Sequence, residues 1–253
     1  MQFVVPSTIF AAFLFSGLGE GEKASFVQAG RLHRCSRDQN LFVYGDAARS
    51  FYIICDGTIR LLRETPNGHE ITSDILIAGD TVGETEILQG HPTYQFNAFA
   101  VKDTTVLEFP AAWLRESAKT NSGLALNLLA ILARRTHLAS VEAEHKSTMS
   151  AAQQVTCFLE HLCILHNFDP AGFELPFSKT LIASRLGMEL ETFSRALTKI
   201  REHGITIKGT HVSFDDLTEV ENFVCGNCSI AGNCAEHETL RARLLKKKST
   251  HAA

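Results

Sequence analysis

The chain has 253 residues, 45% of them apolar and 21% charged, a globular composition that excludes disordered, collagenous and rod-like classes. Its length suits two ordinary domains, and a net charge of −4 excludes a chain that coats nucleic acid by bulk electrostatics, leaving only a local basic patch. Seven cysteines are too few for a disulfide scaffold and odd in number, so the expected compartment is a reducing cytoplasm.

The chain opens MQFVVPSTIFAAFLFSGLG, apolar enough to suggest a secretory signal. No Lys or Arg precedes Lys23 and Pro6 interrupts the apolar run, so the segment lacks a basic start and is too broken to span a bilayer. An amphipathic leading helix is expected, with no membrane partner.

From Arg31 to Pro110 the pattern is short β-rich runs between glycine-bearing turns: LFVYGD, FYIICDGTIRLL, PNGHEITSDILIAGD, TVGETEIL and NAFAVKDTTVLEFP. Regularly spaced short strands predict a small barrel or roll over residues 1–110, leading helix included. The period then lengthens. Residues 111–149 read as a connecting helix in which Leu124, Leu128, Ile131 and Leu138 form one apolar seam. Such a seam suits pairing with a symmetry mate, so a homodimer is expected; the alternative is packing on its own β-domain. Arg135 and Glu142 also fall on that seam.

Residues 150–222 are helical again and carry LPFSKTLIASRLGMELETFSRALTKIREHGITIKGTHVSF. Ser178 can cap a helix ending at Leu186, Gly187 supplies a turn, and a second helix runs from Leu190 to His203 before Gly204. This is a helix-turn-helix, with ITIKGTHVSF as a β-wing. Glu191, Ser194 and Arg195 stand at i, i+3 and i+4, on one face near the N-terminal end of the second helix. Arg can donate twice to guanine, and Glu can accept from cytosine N4. Thr192, Lys179 and Lys199 are phosphate-contact candidates, within a stretch where Lys179, Arg185, Arg195, Lys199, Arg201 and Lys208 face Glu189, Glu191 and Glu202. The predicted class is α+β: β-roll, long dimerisation helix, winged helix-turn-helix and a cysteine-bearing tail at 223–253.

The order of parts, with FYIICDGTIRLL and IAGDTVGE in the roll and ETFSR in the second helix, resembles the CRP/FNR superfamily of bacterial transcription regulators over nearly the whole chain. The serine before the arginine resembles the FNR branch. The resemblance implies that Glu191, Ser194 and Arg195 read double-stranded DNA as an inverted repeat of TTGAT-like half-sites, with RNA polymerase as a further partner. Cyclic-nucleotide binders of the superfamily hold the ribose with the Glu of a GE motif and the phosphate with an arginine further along. Gly83 and Glu84 are present here, but the phosphate place falls near Tyr94 and Gln95, and no Arg or Lys lies between Arg63 and Lys102. A buried phosphate without a cation is poorly compensated, so no cyclic nucleotide is expected and Glu84 reads as structural. His33, His69 and His91 leave haem as a further alternative signal, without a CxxCH attachment motif.

The tail reads CGNCSIAGNC, a C-x2-C-x5-C array of Cys225, Cys228 and Cys234. Three thiolates at this spacing can cap one face of a [4Fe-4S] cube. The array resembles the cluster-binding segment of the FNR branch, which there precedes the roll, and some relatives carry a comparable array at the C-terminus. It implies redox, oxygen or nitric oxide sensing. The fourth ligand is open: the FNR-branch cysteine of the last roll strand corresponds to Leu107, leaving Cys35, Cys55, Cys157, Cys163, His237 or a carboxylate. Zinc is the competing metal, since His237 completes C-x2-C-x5-C-x2-H. No nucleophile-and-base motif or phosphate loop accompanies the array, so no enzyme is expected, with an Fe–S redox protein as the distant alternative.

Overall fold

The computed structural model describes residues 13–165, 169, 172–215, 217–226 and 228. It divides into two compact units, Met1–Leu138 and Ala139–Ala253.

The first unit contains a helix α1 (Glu20–Ala29), then strands β1 (Arg31–Cys35), β2 (Asn40–Phe42), β3 (Ser50–Asp56), β4 (Thr58–Glu64), β5 (Glu70–Ile77) and β6 (Thr81–Val82). Helix α2 (Glu84–Gln89), strands β7 (Asn97–Ala100) and β8 (Thr104–Pro110), helix α3 (Ala111–Thr120) and the first part of α4 (Ser122–Thr148) complete it. The strands form two antiparallel four-stranded sheets, ordered β1-β8-β3-β6 and β2-β7-β4-β5. This is the predicted roll.

Both faces of β3 and β8 are covered, which explains the apolar runs Phe51–Cys55 and Val106–Leu107. Tyr52, Ile54 and Val106 point into the roll with Phe42, Ile59 and Tyr94, while Phe51, Ile53, Cys55, Leu107 and Phe109 point to the opposite face. That second face is covered by Leu114 of α3, Leu124 and Leu128 of α4, and Leu14, Phe15 and Leu18 of the leading segment. The apolar start of the chain is therefore partly core: Phe13–Phe15 form a 3-10 turn with Leu14 and Phe15 fully buried. Among the described residues no helix is long and apolar enough to cross a membrane.

Two expectations change here. TVGETEIL is not a strand run: Thr81–Val82 pair with β3, then Gly83 turns at φ 87° and α2 begins. A side chain at Gly83 would meet Ser50 O and Tyr94 Cε1 at 3.1 Å, so both the positive φ and the close approach call for glycine. The seam of Leu124, Leu128 and Ile131 faces inward, onto the unit's own core, because Phe109 and Leu114 present an apolar surface to it within the same chain. Leu124 and Leu128 are thus not partner contacts, and Leu138 is half-buried. The exposed leucines of α4 are Leu126 and Leu129, at 64% and 61%.

The second unit begins with the rest of α4 and adds α5 (Ala151–Leu165), β9 (Phe173–Glu174), α6 (Lys179–Leu186), α7 (Leu190–Ile200), β10 (Ile205–Lys208), β11 (His211–Phe214) and α8 (Leu217–Cys225). Helix α5 packs on α7 and α8, burying Val155, Leu159, Phe193, Ala196, Val220 and Val224. The wing has three strands, ordered β10-β11-β9, the third lying outside ITIKGTHVSF. The third is short, with Phe173 opposite Val212 and Glu174 opposite His211. Helix α8 runs through the expected boundary at residue 223, making Cys225 its last residue.

Candidate nucleic-acid interface and thiol–imidazole cluster

The helix-turn-helix forms as its residues indicate. Ser178 Oγ accepts a hydrogen bond from the Leu181 N–H at 3.2 Å, capping α6, and Gly187 takes the left-handed conformation at φ 67°. Helix α7 ends in a 3-10 turn, Arg201–His203, closed by Gly204 at φ 76°. Phe193, Ala196 and Ile200 bury its inner face, which turns Glu191, Ser194 and Arg195 to the exposed side. Arg195 and Glu191 lie 3.8 Å apart with side chains 72% and 82% exposed. An ion pair so hydrated holds its partners weakly, so both side chains are available for base edges. Lys199 is exposed, while Thr192 and Lys179 are half-buried.

Arg185 leaves the expected basic patch. Its guanidinium donates from two nitrogens to the two carboxylate oxygens of Glu142, at 3.0 and 2.7 Å, tying α6 to the last turns of α4.

In the roll, Glu84 is fully buried and paired with the Arg135 guanidinium, whose second nitrogen donates to Thr81 O at 2.6 Å. Desolvation pulls the Arg135 pKa down, but the carboxylates of Glu84, Asp74 and Asp80 outweigh it and leave it raised. Glu84 Oε2 has no hydrogen-bond partner among the described residues. Tyr94 is buried, stacked on Phe42 with centroids 3.7 Å apart, and donates its hydroxyl to Ser50 O. A cation does approach Gln95: Arg63 of β4 donates to Gln95 O at 3.1 Å and lies over the Phe96 ring. A search along the linear stretch misses it because β4 arrives from elsewhere in the chain. His33, His69 and His91 are all exposed.

Two family models match. Residues 32–121 match the cyclic nucleotide-binding domain and residues 154–223 the Crp-like helix-turn-helix domain. In this order the two are the parts of a CRP/FNR-type regulator. It is similar to the nitrogen fixation regulation protein FixK of Bradyrhizobium diazoefficiens, 29% identical over 211 residues that span 81% of this chain and 87% of that protein. It is also similar to the anaerobic regulatory protein of Haemophilus influenzae, 27% identical over 186 residues, 72% of this chain and 71% of that one. The fold matches the solved structure of FixK2 from Bradyrhizobium japonicum with a TM-score of 0.66 at 21% identity, covering 77% of this chain and 96% of that one. The two parts support a DNA-binding transcription regulator of CRP/FNR type, and CRP/FNR regulators typically act as dimers.

The described cysteines fall into two groups. Cys35, Cys55 and Cys163 are buried at 1%, 3% and 0% exposure, and burial pushes the Cys35 thiol up and the Cys55 thiol up to about 11. Thiols so placed behave as small hydrophobes rather than metal ligands. Leu107, at the FNR-branch ligand place, is likewise core.

Cys157, one of the candidate fourth ligands, is half-exposed. Its Sγ lies 3.7 Å from Nδ1 of His145, and Cys228 Sγ lies 3.6 Å from Nε2 of the same ring. His145 belongs to the last turns of α4 and is itself 7% exposed. Sequence reasoning missed His145. The only signal was a histidine on the helix that precedes the DNA-binding domain, far in sequence from the cysteine array. Among the described residues no group of three or more His, Cys, Asp or Glu closes around a metal position. The Cys225 side chain, Cys234 and His237 lie outside the described residues.

Proposed function

We propose that this protein is a homodimeric regulator that reads an inverted repeat of TTGAT-like half-sites through Glu191, Ser194 and Arg195, and acts on RNA polymerase in the cytoplasm. The observation that carries the reading is the N-terminal face of α7, where these three side chains stand exposed together while Phe193, Ala196 and Ile200 anchor the helix behind them. Arg195 and Glu191 offer the paired donor and acceptor that guanine and cytosine edges require. Leu126 and Leu129 on α4 are the apolar residues open to a second copy. The test is binding of the full chain to an inverted TTGAT repeat against the same repeat with each base changed. Loss of discrimination at one position in Arg195→Ala supports the reading, and equal affinity for every sequence overturns it.

The signal in this proposal enters through metal on Cys225, Cys228 and Cys234. The C-x2-C-x5-C spacing supports a [4Fe-4S] cluster, and similarity to a regulator named as anaerobic supports a redox, oxygen or nitric oxide signal. Such a cluster would supply iron–sulfur bonds that oxidants break. The second reading is zinc, favoured by one observation, the 3.6 Å spacing of Cys228 Sγ and His145 Nε2. Anaerobic purification separates them: iron and sulfide with a broad visible band mark the cluster, and stoichiometric zinc in a colourless protein marks the second. A cyclic nucleotide has no place in this proposal, because Glu84 is fully buried and its Oε1 pairs with Arg135.

A further inference from the structure

Helix α7 runs directly into the 3-10 turn Arg201–His203, so His203 is the last side chain before Gly204 turns the chain. Its ring lies flat on Phe223 of α8, with centroids 3.8 Å apart and planes 12° from parallel. Glu219, one turn earlier on α8, brings Oε1 to 4.0 Å from His203 Nδ1. Residues four apart share a helix face, so one face of α8 meets this ring twice. The adjoining face, with Val220 and Val224 buried, keys α8 against α5, and Gln153 of α5 donates from Nε2 to Phe223 O at 2.8 Å. A backbone bond closes the same corner, the Asp215 N–H donating to Gly204 O at 2.7 Å.

Phe193, Ala196 and Ile200 fix the depth of α7 by apolar contact, which is non-directional and resists tilt weakly. Arg195 stands ~12 Å along the axis from His203, at ~1.5 Å per residue. A tilt of about 5° over that length is a displacement of about 1 Å, more than the ~0.5 Å that a preorganised contact tolerates. We infer that His203, held by Phe223 and Glu219, is a positioning residue for DNA reading, and that α8 thereby sets the angle at which α7 presents Glu191, Ser194 and Arg195. The inference rests on the reading of α7 proposed above. Phe223 also lies in the last turn of α8, which ends at Cys225, so order in that turn bears on α7 through one side-chain contact.

The test measures binding of the full chain to the inverted TTGAT repeat, to that repeat with single bases changed, and to an unrelated duplex. Circular dichroism confirms that each variant is folded at the assay temperature. His203→Ala should weaken binding to the repeat by about tenfold, the equivalent of roughly one good base contact. Affinity for the unrelated duplex should stay near the wild-type value, because phosphate attraction does not depend on base-edge geometry. His203→Phe keeps a flat ring and should recover most of the loss. Phe223→Leu keeps apolar volume without the ring and should match His203→Ala, and the two together should cost no more than either alone, since they act through one contact. A merely structural role would lower the melting temperature and leave discrimination per folded molecule unchanged; that result overturns the inference, as does full additivity of the pair. A wild-type chain that binds every sequence alike sinks the reading of α7 and this inference with it, whereas wild-type discrimination retained in His203→Ala sinks this inference alone.

Discussion

Glu142 of α4 receives Arg185 of α6 in a two-pronged contact, Nη1 to Oε2 at 3.0 Å and Nη2 to Oε1 at 2.7 Å. The Arg185 side chain is 14% exposed and that of Glu142 40%, so the pair is screened on one side only. A fork of charge-assisted bonds constrains angle as well as distance. The orientation of α6 is thereby referred to the end of α4, in the stretch that also carries His145.

Replacing Arg185 by Ala should lower stability by about 1–2 kcal/mol, at the lower end for charged hydrogen bonds because Glu142 is partly hydrated. Arg185→Lys should recover less than half, since an ammonium cannot form the fork. Urea unfolding with Glu142→Gln completing a double-mutant cycle checks this; an interaction energy near zero would remove the contact from any role in placing α6.

On DNA, Arg195→Ala should cost about 1–3 kcal/mol at one base pair and relax preference there. Lys199→Ala should weaken all sequences alike and reduce the salt slope of log K by about one. Fluorescence anisotropy across a salt series distinguishes the two; a sequence-specific loss from Lys199→Ala would reverse the assignment.

The inward turn of the α4 seam separates stability from assembly. Leu128→Ala should cost about 2–5 kcal/mol through an unfilled core site and leave the monomer–dimer equilibrium nearly unchanged once folded. Leu126→Glu with Leu129→Glu should do the opposite, weakening association with little effect on the fold. Sedimentation alongside thermal melting reads both, and a dimer untouched by the two glutamates would move the interface elsewhere.

Arg135 compensates a carboxylate with no access to water. Arg135→Met should destabilise the roll by about 3–5 kcal/mol by leaving Glu84 unpaired, whereas Arg135→Met with Glu84→Gln should recover most of that loss. Failure of the double substitution to recover would show that Thr81 O, the other Arg135 partner, dominates.

Asp80 adds a pH dependence. Desolvation raises its pKa from 3.8 to about 6, against the lowering hydrogen bond from the Ile77 N–H. The folded state then holds a proton that the unfolded state has lost, so this group's contribution to stability falls as pH rises from 3.8 to about 6 and is flat above. Asp80→Asn should flatten the stability profile in that window. A profile of unchanged slope between those limits would refute the raised value.

Local rules account for the parts that were legible from the chain alone. Ser178, Gly187 and Gly204 act within a turn or two of themselves, so the helix-turn-helix and its exposed Glu191, Ser194 and Arg195 followed from residue order. The same holds for the roll, whose short β-rich runs declare themselves by spacing. What sequence could not assign was direction. The seam of Leu124 and Leu128 suits a partner or the chain's own core equally well, and only the presence of Phe109 and Leu114 on the facing surface decided it. Arg135, Glu142 and His145 show the same limit more sharply. Each finds its partner, Glu84, Arg185 or Cys228, across more than forty residues. A sequence states which donors and acceptors exist along the chain, while which of them share a few ångströms is set by the packing of helices and strands between them.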